Sequence, residues 1–122
     1  MTFRISIAWP VFVLDDSDAR IAWFRQRVPQ AVFAKTASEA RHILEVTAFR
    51  IVFLDHDLGF LDAADPNRLH HNGKEVARYL AIKKFQGIVV IHSLNEVGAE
   101  VMHRYLPEAH VEPYGTFDIA LV

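Results

Sequence analysis

The chain has 122 residues, 52% hydrophobic and 23% charged, which suits one globular domain over residues 1–122 rather than a disordered segment. With no cysteine it excludes a disulfide scaffold, a thiol nucleophile and an iron–sulfur site, and it fits a reducing cytosol and hence a cytoplasmic location. Thirteen basic against fifteen acidic residues leave a formal charge of −2, which speaks against a general grip on duplex nucleic acid, although seven histidines would carry the charge to +5 in mild acid.

At the start of the chain Phe3, Ile5, Ile7 and Trp9 alternate with Thr2, Arg4, Ser6 and Ala8. A period of two predicts an amphipathic strand, ended by Pro10, at a sheet edge or in a subunit contact, and it leaves a homodimer open. The apolar run from Ile5 to Leu14 falls far short of the ~20 residues that cross a bilayer, and it stops at Asp15-Asp16 without a cleavage site, so neither a membrane span nor a signal peptide is expected. Val11 to Leu14 is continuously apolar, as in a strand buried on both faces. Asp15-Asp16-Ser17 then offers turn and N-cap residues, and Ile21, Phe24 and Val28 recur at helical spacing up to Pro29. Ala31 to Ala34 reads as a short strand. Thr36 and Glu39 have capping-box spacing, with Glu39 expected to reach back to the Thr36 N–H, ahead of a helix with Ala40, Ile43, Leu44 and Thr47 inward.

Arg50 to Leu54 reads as a strand ending in Asp55-His56-Asp57-Leu58-Gly59, and a long irregular segment runs from Gly59 to Asn72. Gly73 opens a helix with Val76, Ala77, Leu80 and Ala81 on one face, broken at Gly87. Ile88 to Ile91 is the most hydrophobic strand, ending in His92-Ser93-Leu94-Asn95-Glu96, where Ser93 and Glu96 again have capping-box spacing. Val97, Val101, Met102 and Leu106 are expected to line the next helix, closed by Pro107, and His110 to Tyr114 is the last strand. Five strands separated by four helices predict a single-domain α/β fold, a doubly wound parallel sheet with right-handed crossovers.

In an open parallel sheet, ligands bind at the carboxyl ends of the strands. Here those ends carry Asp15-Asp16, Asp55-His56-Asp57 and His92-Ser93. Packed carboxylates repel one another and their pKa values rise unless a cation neutralises them, and Mg²⁺ or Mn²⁺ held by carboxylate oxygens is the simplest remedy. Against this, one of Asp15 and Asp16 could serve as a helix cap. His56 and His92 would bring two imidazoles to one crevice, as an acid–base pair for phosphoester cleavage requires. In an ideal strand Asp55 and His56 point to opposite faces, and only a turn beginning at His56 would bring both inward. Ser93 offers a hydroxyl at the rim, with an N-cap role as its rival. The 59–72 segment has the length of a lid or binding loop and carries Asp62, Asp65, Arg68, His70 and His71; Arg68 is a candidate anion ligand, with Asp65 as its alternative partner. His42, His103 and His110 receive no function.

These features resemble a response-regulator receiver domain, with strand order 2-1-3-4-5 over the five buried strands, an acidic pair after the first, an Asp ending the third and a hydroxyl ending the fourth. The resemblance implies Mg²⁺ held by Asp15, Asp16 and Asp55, Asp55 as phosphoacceptor and Ser93 as switch hydroxyl. Two departures stand out: Glu112 precedes Pro113 where receivers carry a lysine, and Thr116 to Val122 leaves the final helix missing or a stub. Leu14-Asp15-Asp16 with Arg20 and Phe24, Thr36-Ala37-Ser38-Glu39-Ala40, Leu54-Asp55-His56-Asp57-Leu58-Gly59, Asn72-Gly73-Lys74-Glu75-Val76 and Ile91-His92-Ser93-Leu94-Asn95 with Gly98-Ala99 and Met102 resemble a narrower group, the cyclic-phosphate-processing receiver domains.

Two function classes follow. In the first, a metal-dependent phosphoesterase acts on a cyclic phosphate of a small nucleotide or an RNA end. Asp15, Asp16 and Asp55 hold the ion, Asp55, His56, Asp57 and His92 carry the catalysis, and Ser93, Asn95 and Arg68 contact the substrate. In the second, a non-catalytic degenerate receiver binds a ligand or a protein.

Overall fold

The computed structural model describes residues 3–58 and 72–121. The segment carrying Asp62, Asp65, Arg68, His70 and His71 lies outside the described residues. In chain order the elements are β1 (Phe3–Ile7), β2 (Val11–Leu14), α1 (Asp18–Arg27), β3 (Val32–Ala34), α2 (Ala37–Val46), β4 (Ile51–Leu54), α3 (Gly73–Ile82), β5 (Ile88–Ile91), α4 (Glu96–Tyr105), β6 (His110–Val111) and β7 (Phe117–Leu121).

β3-β2-β4-β5-β6 form one five-stranded sheet with every pairing parallel, which is the expected doubly wound order 2-1-3-4-5 over these strands. The continuous apolar runs arise because each central strand is covered on both faces. Phe12, Leu14, Val52, Leu54 and Ile91 point to one side, where Ala37 and Ala40 of α2, Val76, Ala77 and Leu80 of α3, and Ala99 and Met102 of α4 cover them. Val11, Val13, Ile51, Phe53 and Val90 point to the other, onto Phe24 and Val28 at α1 and Phe117 and Ile119 of β7.

At the ends of the chain the expected extra N-terminal strand is present and the final helix is missing, but the two ends pair in a way the sequence did not indicate. Residues 117–121 are a strand, not a helical stub, and they pair in parallel with β1, Phe3 opposite Phe117 and Ile5 opposite Ile119. β1 is therefore neither an edge of the main sheet nor left for a subunit contact along that side: its partner is the same chain. Phe117 and Ile119 alternate with Asp118 and Ala120, so β7 carries the same period-two signal as β1. The ribbon covers the sheet face beside α1.

Smaller differences concern caps and registers. Ser17, not Asp15 or Asp16, caps α1, its Oγ accepting from the Arg20 N–H at 3.3 Å. Thr36 caps α2 as expected, but Glu39 accepts from the Thr36 hydroxyl rather than from its backbone. Asn95 takes the capping place expected of Ser93, accepting from the Gly98 N–H at 2.9 Å. The buried stripe of α4 is accordingly Gly98, Ala99 and Met102, while Val97 is 73% exposed. Thr47 is an exposed C-cap, not a core position. β6 stops at Val111, yet the Glu112 and Tyr114 N–H groups still donate to Ile91 and His92 carbonyls, so the chain runs on beside β5 past the formal strand.

Candidate functional site

Leu14, Leu54 and Ile91 are opposite one another across β2, β4 and β5. The ladder continues one residue further: the Asp55 N–H donates to the Leu14 carbonyl and the His92 N–H to the Leu54 carbonyl, each at 3.0 Å. Asp15, Asp55 and His92 thus share a level, and by strand alternation they share a face with Val13, Phe53 and Val90. All three are buried.

Asp15 is the hub. Its Oδ1 accepts from the Ser17 N–H at 2.9 Å and Arg20 Nε at 3.1 Å; its Oδ2 accepts from Arg20 Nε at 2.8 Å and His92 Nε2 at 2.8 Å. Asp55 lies beside it, Oδ1 accepting from the His56 N–H at 2.9 Å and Oδ2 from Arg20 Nη2 at 3.2 Å. Asp16 completes an acidic triad, its Oδ1 3.8 Å from the same Nη2. One oxygen from each of Asp15, Asp16 and Asp55 lies within 4.8 Å of the others.

Burial of two carboxyls in one pocket separates their proton affinities. Burial works to raise Asp15, but hydrogen bonds from His92 and Arg20 outweigh it and hold the group below the usual carboxylate range. Asp55, with fewer donors, is pushed up to about 6, mainly by burial and further by the Asp15 charge, against the pull of His92 and Arg20. The hydrogen bond to Asp15 raises the Arg20 guanidinium, so this cation is fixed in its charged form.

The two imidazoles do not form the expected pair. His92 has a fully buried side chain whose Nε2 donates to Asp15, and it packs against the rings of Phe24 and Phe53. This bond anchors Asp15, and His92 Nδ1 is buried with no hydrogen-bond partner among the described residues. His56 follows strand alternation to the other side and packs on the first turn of α4, where a side chain on Gly98 would run into its ring. Its Nδ1 pairs with Asp57 Oδ1 at 2.7 Å, and this bond, foremost, holds the largely exposed Asp57 carboxyl below its ordinary value. Asn95 Nδ2 donates to the same Asp57 oxygen at 3.1 Å. Ser93 is also buried, its Oγ accepting from the Asn95 N–H at 3.0 Å. Arg68 lies outside the described residues.

Arg20, which pairs with all three acids, is a side chain that residue patterning left without a role. Its i+4 spacing from Asp16, at the first turn of the helix after the acidic pair, was the available signal.

A parallel sheet in this order, with a carboxylate pocket at the carboxyl ends of its central strands, defines a receiver-like α/β domain. Within that class the chain belongs to the cyclic-phosphate-processing receiver domains, whose family model matches residues 11–108. Among solved structures it is similar to the response regulator DrrB of Thermotoga maritima, an OmpR/PhoB homologue (TM-score 0.61, 14% identity, 94% of this chain covered). It is likewise similar to NtrX of Brucella abortus (0.65, 17%, 95%) and to the Francisella response regulator 1452 receiver domain (0.55, 19%, 91%). The chain spans 46% and 25% of the first two and 81% of the third. At these identities the likeness is one of fold. No match was found among the curated proteins.

Proposed function

We propose that this domain is a divalent-metal-dependent phosphoesterase acting on a cyclic phosphate, either of a small nucleotide or of an RNA end. The observation that carries the reading is the triad of Asp15, Asp16 and Asp55, whose oxygens gather within 4.8 Å, followed directly in sequence by the hydrogen-bonded His56–Asp57 pair. The donor set fits a hard cation: all three groups are carboxylates, two of them buried, and the Arg20 guanidinium marks the place as one that takes positive charge. Mg²⁺ or Mn²⁺ held there would lend positive charge to a phosphoryl oxygen.

The remaining groups divide the work by position. His92 and the Ser17 N–H fix the Asp15 carboxylate. His56, oriented by Asp57, is the imidazole nearer solvent and the group placed to hold or move a proton. Asn95 locks Asp57 and has a side-chain amide at the rim for a phosphate or ribose oxygen, with Ser93 behind it and Arg68 as a further anion contact. The family description, which names cyclic-phosphate processing, supports the substrate class.

The test is hydrolysis of nucleoside 2′,3′- and 3′,5′-cyclic phosphates and of a cyclic-phosphate RNA end, with and without Mg²⁺ or Mn²⁺. Turnover should require the ion, disappear in Asp55→Ala and fall strongly in His92→Ala. A folded protein that cleaves nothing in a broad phosphoester panel would sink the reading. A second reading, a non-catalytic ligand- or protein-binding module, is favoured by the Arg20 bridge, which already sets one positive charge between the buried carboxylates. Calorimetric binding of the same cyclic phosphates without turnover would select it. The glutamate at 112, where receivers carry a lysine, weighs against phosphorelay signalling.

A further inference from the structure

A carboxylate offers about four lone-pair directions. On Asp15 three donors share them: the Ser17 N–H on Oδ1, His92 Nε2 on Oδ2, and the single Arg20 Nε–H bridging both oxygens. Ser17 belongs to the α1 cap and His92 is locked among Phe24 and Phe53, so neither donor can leave without unpacking the fold. Arg20 can leave: its side chain is 26% exposed at the rim. The same guanidinium holds the Asp55 oxygen that the His56 N–H does not use, and its Nη2 lies 3.8 Å from Asp16 Oδ1. It therefore bonds two members of the triad and lies within ion-pair distance of the third. An alternative resting place adjoins it, because Arg20 Cζ is already 5.9 Å from the centre of the Tyr114 ring, within cation–π range.

We propose that Arg20 is an exchangeable counter-ion: guanidinium and divalent cation compete for the oxygens of Asp15, Asp16 and Asp55, and an arriving cation turns Arg20 out of the pocket toward Tyr114. This rests on the reading of the triad as a cation site. In the ion-free domain Arg20 offsets part of the repulsion between the buried carboxylates, and the cation must displace it. Affinity for the cation is accordingly weaker than the triad alone would give, and every binding event puts a free guanidinium at the mouth of the pocket.

The test combines calorimetric Mg²⁺ titration of the full chain and its Arg20→Gln variant with NMR of the Arg20 Nε–H in the ¹⁵N-labelled wild type. Removing one competing charge from a part-buried pocket should tighten Mg²⁺ binding by at least about tenfold. In the wild type the Arg20 Nε–H signal should move toward that of a solvent-exposed arginine, with the calorimetric midpoint. If Arg20→Gln does not fold, Arg20→Lys keeps the charge but lacks the fork that spans two carboxylates, and it too should bind Mg²⁺ more tightly than wild type. An Nε–H signal unmoved at saturating Mg²⁺, or a variant affinity no better than wild type, overturns the exchange and leaves the cation reading standing. No Mg²⁺ bound by either protein overturns both.

Discussion

Asp15 and Asp55 lie side by side at equal depth, yet their proton affinities move in opposite directions. The difference is in donors: Asp15 receives two side chains and a backbone N–H, whereas Asp55 shares one arm of Arg20 and a single N–H. For Asp55 the folded pKa of about 6 lies above the unfolded value, so the stability it contributes is present below about pH 4 and is lost as pH rises through 6. Asp15 has the opposite sign, contributing above the unfolded pKa and losing that contribution as pH falls through its lowered one. At about 1.4 kcal/mol per unit, the charge on Asp55 costs up to about 3 kcal/mol at neutral pH. Asp55→Asn should therefore gain stability relative to wild type between pH 4 and pH 7.5 by about that amount, measured as urea midpoints in chelator-treated protein. Identical differences at both pH values would show that the Asp55 charge is not strained. Cation binding should weaken below pH 6 for the same reason, since the proton and the ion compete for Asp55.

Among the elements, the starts of α3 and α4 clamp the turn after β4. The Gly73 N–H donates to the His56 carbonyl at 2.8 Å, and a side chain at Gly73 would collide with the Asp55 carbonyl. Gly98 leaves room for the His56 ring, while Asn95 caps α4 with its Oδ1 and holds Asp57 with its Nδ2. The helix that closes one side of the sheet is thus also the part that aims the half-buried His56 imidazole. On helix propensity alone Gly98→Ala should stabilise by about 1 kcal/mol. The collision with His56 reverses the sign, and a loss of about 1–3 kcal/mol is expected from overpacking, together with a shift of the His56 ring resonances. Thermal denaturation with an unchanged or raised midpoint would contradict the packing argument.

Over the whole molecule, the face beside α1 is completed by a two-stranded ribbon rather than by another helix. Such a ribbon is marginal alone and depends on what it packs against. Phe117 stacks on Phe53 at 6.1 Å and meets Trp23 edge-on at 5.5 Å, and Trp23 in turn meets Tyr114, over which Arg20 lies. Arg27 ties the ribbon to α1 through Asp118 at 2.7 Å and lies 4.0 Å over Trp23. Phe117→Ala should cost about 3–4 kcal/mol in chemical denaturation. Hydrogen exchange in wild type should release the β1 and β7 amides before those of β2, β4 and β5. Protection of the ribbon equal to that of the central strands would mean that it unfolds only with the core.

The order of strands and helices and the acidic strand ends were legible in the sequence because they are local facts. A strand buried on both faces must be continuously apolar, and Val11–Leu14, Ile51–Leu54 and Ile88–Ile91 are. Polar residues that interrupt such runs must stand at their ends, so Asp15, Asp55 and His92 came together in one layer without any knowledge of the packing. Three things needed the tertiary structure. Which way His56 and His92 faced depended on whether the chain turned after Asp55, and strand alternation prevailed, separating them. Which turn residue capped α4 depended on where that helix could dock, and Asn95 with Gly98 against His56 displaced the spacing-based choice of Ser93. The role of Arg20 depended on a long side chain reaching back from α1 across the ends of two strands, a distance that no window of sequence contains. Composition and periodicity determined the parallel sheet and the seat of the carboxylates, and the receiver resemblance supplied its strand order; docking of the helices and of the terminal ribbon decided that a guanidinium, not an imidazole pair, lies at their centre.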